Sequence, residues 1–429
     1  MAGTHGKNAI YIKKQNEIAL KTLLYRKGAL SRSEIAAQLS LSSPTITNIV
    51  GEYIQKGLMQ ELPEAETTDA RSVGRKPIKV DFIADARLSL GISLGRDLTH
   101  WCITNLRGQM LYQGTEEAMP DEYDQMLARL CALTARIREE TGADWAKLVG
   151  ICLVMPGYVD AQRGMPQNRG GMEKIDWKDR SLASDLSAFA QLPVCCENNV
   201  RARAYSLQLF RPELLEGTSS YALCYLNWGI ACPVYLISPS GDEVSSAGEI
   251  GHMIMNPHGI TLTSHTDPDK IADPPWRSIM RNYQGVPGSL EAYASVYALL
   301  EYCSRAMELG CASILSSICP DPDRLTPGDL WRAQLLGDSV VCGNINRAMT
   351  YIGIALANTV NFMNPHRIFL SGQAFRNPQN VKTVKESFEK YVFHSGHEEV
   401  EFCELEPNEY GSALGACAIS LRRFFIQGS

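Results

Sequence analysis

The chain has 429 residues, 45% of them hydrophobic, enough for two or three domains with full cores. No apolar run nears the roughly 20 residues of a membrane helix, no signal-peptide core opens the chain, and the 13 scattered cysteines form no CxxC pair, so a reduced, cytoplasmic chain without a disulfide framework is expected. Net charge is −6 but uneven: residues 1–82 carry 12 Lys+Arg against 8 Asp+Glu (+4), the rest 29 against 39 (−10), which fits a DNA-binding segment on a body that avoids DNA.

Residues 8–27 place Ile18, Leu20, Leu23, Leu24 and Tyr25 on a core side and predict a first helix that Gly28 ends. Ser31–Gly57 then reads as two helices joined by a tight turn. Ser31 and Glu34 have the spacing of a capping box, and Ile35, Ala36 and Leu39 give the short helix one apolar face. Ser43 is the expected N-cap of the second helix, with Pro44 at its first position, where the missing N–H costs nothing. Ile46, Ile49, Val50, Tyr53 and Ile54 share a face of that helix; Thr45, Thr47 and Asn48 point elsewhere. A docked helix with short hydroxyl and amide side chains in its first turn suits a DNA major groove. An ordinary helical hairpin has the same pattern, so the flanks decide.

Strands are expected over Leu58–Leu62 and Lys79–Ile83, which would complete a winged helix. Between them runs Val73-Gly74-Arg75-Lys76-Pro77, equally suited to a narrow minor groove and to a solvated basic turn. From Leu88 the pattern becomes strand, turn, strand, turn, strand, then a long helix with Tyr123, Met126, Leu127, Leu130, Leu133 and Ile137. Buried strands follow at Leu148–Met155 and up to Glu197, and a helix opens after Asn199. A second strand–turn–strand starts near Ser220, long helices fill 291–318 and 340–363, a strand covers Arg367–Ser371, and a closing helix starts near Ser412. Two α/β lobes with the same opening form a duplicated architecture with a cleft between them.

Several short motifs then converge: Arg32, the LSSPTITNIV helix, Gly74–Pro77, Pro156-Gly157-Tyr158-Val159-Asp160, Glu197-Asn198-Asn199, Gly248-Glu249-Ile250-Gly251-His252, Gly288–Glu291 and Gly411–Ala416. With them the chain resembles the ROK family (repressors, open reading frames, kinases), above all its winged-helix repressors. The resemblance implies a winged helix-turn-helix over 1–82, then a two-lobed actin-like ATPase fold of the sugar-kinase, ribonuclease H-like type. Its first lobe would span 83–200, closed by the C-terminal helix 411–429, and its second 201–410.

The departures from the family's kinases are informative. Their first phosphate loop is DxGGT; here it is Ser93-Leu94-Gly95-Arg96-Asp97, without the acid that polarises a metal-bound nucleotide. Their second, GTGIGGG, is Asn227-Trp228-Gly229-Ile230-Ala231-Cys232, with an indole and two added Cβ groups. Asn199 stands where they place the aspartate base, and an amide accepts no proton at neutral pH. Losing a positioned base typically costs about 10²–10⁴-fold. The family zinc site keeps His252, but the run matching CxCGxxGC, residues 282–289, holds no thiolate, so no metal and no cofactor are expected. An insertion containing Thr261–Pro275 precedes that run and reads as a surface loop or a cap on the cleft.

By the same resemblance Asn198, Glu249, His252 and Glu291 match residues that bond pyranose hydroxyls, Gly157 and Asn168 border that pocket, and Asn199 faces the hydroxyl the kinases phosphorylate. Carboxylates, an imidazole and amides suit a ring of hydroxyls. The expected DNA-contacting set is Arg32, Ser42, Ser43, Thr45, Thr47, Asn48, Arg75 and Lys76. The reading is a transcriptional regulator, a repressor by resemblance, that binds a double-stranded operator as a homodimer or dimer of dimers and answers to a sugar or sugar derivative. An active sugar kinase and a repressor controlled by a protein partner, its cleft empty, are the alternatives.

Overall fold

Helices α1 (Thr4–Lys27), α2 (Arg32–Leu39) and α3 (Ser43–Gln55) open the computed structural model, which describes residues 4–62, 77–120, 122–157, 159–160, 165–166, 177, 180–237, 243–245, 248–257, 288–393 and 400–428. Arg75, Lys76, Asn168, the 261–275 insertion and residues 282–287 lie outside the described residues. Ser31 caps α2 as its spacing predicts: its hydroxyl accepts from the Glu34 N–H, and the Glu34 carboxylate accepts from the Ser31 N–H at 2.7 Å. The cap of α3 is Ser42, not Ser43. Ser42 is extended and its hydroxyl accepts from the Thr45 N–H, three residues on, so Ser43 and Pro44 fill the first two helical positions. Ile46, Ile49, Val50 and Tyr53 are buried beneath α3; Ile54, at the edge of that stripe, is half-buried.

The wing is an antiparallel sheet of β1 (Leu30–Ser31), β2 (Met59–Glu61) and β3 (Lys79–Phe82), in the order β1-β3-β2. The two-residue β1 is too short to leave a period in the sequence.

Both lobes then repeat one plan. In the first, β4 (Leu88–Leu94) pairs antiparallel with β5 (Leu98–Asn105), which pairs with β6 (Met110–Glu117). On its other side β4 runs parallel to β7 (Leu148–Met155), with a short ribbon of β8 (Val159–Asp160) and β9 (Met165–Pro166) beyond; β7 in turn pairs parallel with β10 (Val194–Asn198). In the second lobe, β11 (Ser220–Leu226) pairs antiparallel with β12 (Ile230–Ala231) and β13 (Val234–Ile237), and β13 with β14 (Glu243–Ser245). The other edge of β11 runs parallel to β15 (Arg367–Ser371), followed by β16 (Glu401–Glu404). Each opening strand thus sits between a hairpin partner and a parallel partner, the arrangement the duplicated sequence pattern predicts.

Helices α4 (Tyr123–Glu140) and α5 (Leu182–Ala190) cover the first sheet, and α6 (Asn199–Phe210) lies between that sheet and the second lobe. The Gly411–Ser420 helix crosses β4 so closely that a Cβ on Gly91 would stand 2.1 Å from the Ala413 carbonyl. The single helix expected over 291–318 is broken into Leu290–Ala294, Val296–Glu308 and Leu315–Ile318. Ser295 is extended and caps the second piece through the Ala298 N–H, a local bond that competes with helix continuation, and Gly310 (φ 74°) stops it.

The winged helix and the first lobe share one core. Tyr25, Phe82 and Phe425 pack ring on ring at 5.1 and 5.6 Å, within a cluster that also takes in Leu20, Leu24, Leu106, Tyr205 and Leu209. Arg107, in the β5–β6 turn, pairs with Asp81 of β3 and lies over the rings of Tyr25 and Phe82. Lys21 donates at 2.5 Å to the carbonyl of Phe425, in the π-helical turn Leu421–Ile426. Burial lowers the Lys21 pKa to about 8.

Candidate functional site

The first turn of α3 presents its polar side outward. Ser42, Ser43, Thr47 and Asn48 are exposed and Thr45 is half-buried. The hydroxyls of Ser42 and Thr45 bond each other at 2.8 Å, so this pair is spent first on capping the helix. Arg32 at the start of α2 pairs with Glu61 of β2 at 2.9 Å, a partly exposed contact. Ser43, Thr47 and Asn48 remain the outward hydroxyls and amide of the helix.

Between the lobes lies a cavity of about 160 Å³. Gly157, Asn198, Asn199, Glu249, His252 and Glu291 all line it, drawn together from the end of β7, the start of α6, the turn after β14 and the Leu290–Ala294 helix. Of the expected pocket residues only Asn168 is outside the described residues. Asn198 has structural duties: its side-chain Oδ1 accepts from the N–H groups of Val200 and Arg201, capping α6, and its side-chain Nδ2 donates to the Gly157 backbone carbonyl at 2.8 Å. One amide hydrogen is left by that count. Gly157 itself adopts φ 86°, a conformation that favours glycine.

Glu291 reaches through a gap made by two glycines; a Cβ on Gly229 or Gly251 would lie 2.6 or 2.7 Å from its side chain. One carboxylate oxygen accepts from the Ile230 N–H at 3.1 Å. Burial pushes the Glu291 and Glu249 carboxyls above their ordinary range. The His252 ring stands 4.0 Å from the Glu249 carboxylate. Among the described residues no group of three or more His, Cys, Asp and Glu side chains is placed to hold a metal.

A second cavity, of about 820 Å³, opens beyond the first, lined by Asp97, His100, Arg203, Gly372 and Tyr410 among others. The two share a wall of side chains from the two altered phosphate loops. The Trp228 indole N–H donates to the Asp97 carboxylate at 2.8 Å. Trp228 stacks on Tyr297, centroids 4.7 Å apart, and Arg96 donates to the Tyr297 hydroxyl from beside the same ring. First-lobe and second-lobe loops therefore clasp each other between the two cavities.

The ROK family model matches residues 89–423. The chain belongs to the ROK family. It is 24% identical to the xylose repressor of Caldicellulosiruptor bescii over 372 residues, 86% of this chain and 85% of that one. It is 24% identical to the DNA-binding transcriptional repressor Mlc of Escherichia coli over 367 residues, 84% and 81% of the two chains. A crystal structure of a ROK family transcriptional regulator, a homologue of Mlc, superposes with a TM-score of 0.75 at 21% identity, covering 97% of both chains. That likeness fixes the fold, winged helix included.

Within the ROK frame, the members of the clasp carried unequal sequence signals. Arg96, Asp97 and Trp228 stand out as departures at glycine-rich loops. Tyr297 does not: it lies six residues past Glu291 in an apolar helix and reads as core. Only the tertiary fold brings it under the indole.

Proposed function

We propose that this ROK-family chain is a DNA-binding transcriptional regulator, a repressor of carbohydrate genes, controlled by a sugar in the small interlobe pocket and without kinase activity. The clasp carries this reading. Asp97–Trp228 and Arg96–Tyr297 fill the phosphate passage, while the polar residues suited to hydroxyls remain grouped on its far side. Asn199 lines both cavities but offers no base. The relatives' names, xylose repressor and transcriptional repressor, point the same way.

In this reading α3 enters the major groove, with Thr47 and Asn48 at base edges and Ser42, Ser43, Thr45 and Arg32 at or near phosphates, while Arg75 and Lys76 reach the minor groove. Two copies of the chain meet two half-sites. Helix α6 links the ends: Asn199 lines the pocket at its start, and Tyr205 and Leu209 lie in the core that holds α1. Sugar binding changes DNA affinity only if the pocket binds one arrangement of the winged helix better. A thermal-shift screen of monosaccharides, amino sugars and their phosphates tests the reading: a true ligand at 100-fold its dissociation constant adds about 2.7 kcal/mol of stability. Steady sugar phosphorylation with ATP and magnesium, absent from a cleft-mutated control, would refute it.

A further inference from the structure

The small pocket and the large cleft are separated by residues they share: Gly95, Arg96, Asn199, Tyr225, Asn227 and Trp228. Asp97 and Tyr297 brace that partition from either side. We propose that Arg96, Asp97, Trp228 and Tyr297 form a specificity wall that restricts the small pocket to a single, unphosphorylated sugar ring, an inference that rests on the sugar-responsive reading.

Size is the first ground. About 160 Å³ is well below the ~300–1,000 Å³ of sites that take drug-sized ligands, which leaves room for one ring and its hydroxyls. Among the described residues, the stacked indole of Trp228 and phenol of Tyr297, centroids 4.7 Å apart, stand between the small pocket and the large cleft.

Charge is the second. Around the small pocket and its wall stand the carboxylates of Glu249, Glu291 and Asp97, set against the His252 ring and the Arg96 guanidinium, which donates to the Tyr297 hydroxyl, with Arg203 over Tyr225 on the large-cleft side. A phosphate ester would bring further negative charge into a partly buried site where carboxylates are already disfavoured as anions. Backbone donors are the third ground. The Ile230 N–H donates to Glu291 and the Asn227 N–H to the Gly229 carbonyl, so these loop amides are satisfied within the protein instead of being offered to phosphate. Hydroxyls ask less of the site, since each can both donate and accept beside a carboxylate.

The test is calorimetric titration of the full-length protein with D-xylose, D-glucose and N-acetyl-D-glucosamine, and with xylose 5-phosphate, glucose 6-phosphate and N-acetylglucosamine 6-phosphate. At least one free sugar should bind, and its phosphate should bind more weakly by about 10–200-fold or more, the range a filled pocket gives against an added group. Trp228→Ala should bring that ratio below about 10-fold, whereas Trp228→Phe, which keeps a ring on Tyr297, should hold it. Arg96→Gly opens the wall from the other lobe and replaces Trp228→Ala if that variant shows no cooperative melt. A phosphate ester that binds wild type as tightly as its free sugar overturns the wall. So does a ratio unchanged in folded Trp228→Ala or Arg96→Gly. No binding by any of the six compounds counts against the sugar-responsive reading itself, and the wall falls with it.

Discussion

The recognition helix and the interlobe cleft are built on different scales. The signals that set α3 lie within or next to its 13 residues: Ser42 caps it, Pro44 fits its first turn, an apolar stripe is buried, and Thr47 and Asn48 are left outside. The cleft is assembled from distant stretches. Trp228 meets Asp97 across 131 residues of sequence, and Arg96 meets Tyr297 across 201. Residue types near one another specify the first geometry, whereas the second exists only once both sheets have formed. The two regions are joined by the core around Tyr25, Phe82 and Phe425, so the molecule can be tested for how far they are separable.

The largest expected effect lies at that joint. Phe82→Ala should cost about 3–5 kcal/mol, as for other buried aromatic truncations, in urea unfolding of the full chain. A loss below about 1 kcal/mol would mean that the winged helix and first lobe do not share a cooperative core.

Lys21 sharpens the same point through pH. Its pKa is about 8 in the folded chain against 10.5 when unperturbed. Below pH 8 it is protonated in both states, and the cost of burying the charge is present in full. Between pH 8 and 10.5 the folded chain has released the proton and the unfolded chain still holds it, so stability rises with pH. A shift of this size corresponds to at most about 3 kcal/mol. The stability of wild type relative to Lys21→Met should therefore climb between pH 7.5 and 10; parallel curves would contradict the buried junction.

In the recognition helix, Asn48→Ala should relax the preference for one base pair by about 1–3 kcal/mol, measured on double-stranded DNA selected from a random pool by the full-length protein. Equal weakening on all sequences would move Asn48 from base edge to phosphate. Arg32→Ala should cost the least in stability, no more than about 1 kcal/mol, because its pairing with Glu61 is partly exposed. A larger loss in thermal unfolding would make Arg32 a structural tie for the wing.

This contrast explains what was legible in the sequence. The helix-turn-helix, both strand–turn–strand openings and strand Leu148–Met155 follow from capping, apolar period and turn residues, all short-range. One-residue errors such as Ser43 for Ser42 arise because either serine is a competent cap, and only the backbone conformation chooses. The break at Ser295 was hidden by apolar residues on both sides of it. In the cleft, the glycine and acid motifs marked Gly157, Asn198, Glu249, His252 and Glu291, and the altered loops marked what was lost. That Arg96 and Trp228 would grip a common tyrosine was not legible, since the contact depends on the spacing of the lobes.

The central claim is that the pocket and the recognition helix are coupled. It is tested most directly by operator affinity, measured by fluorescence anisotropy on the selected DNA, with and without a sugar shown to bind, in wild type and Glu249→Ala. The account predicts a change of about 5–150-fold in wild type and none in Glu249→Ala, whose pocket has lost a hydroxyl partner. A sugar that saturates wild type yet leaves its operator affinity unchanged would contradict it.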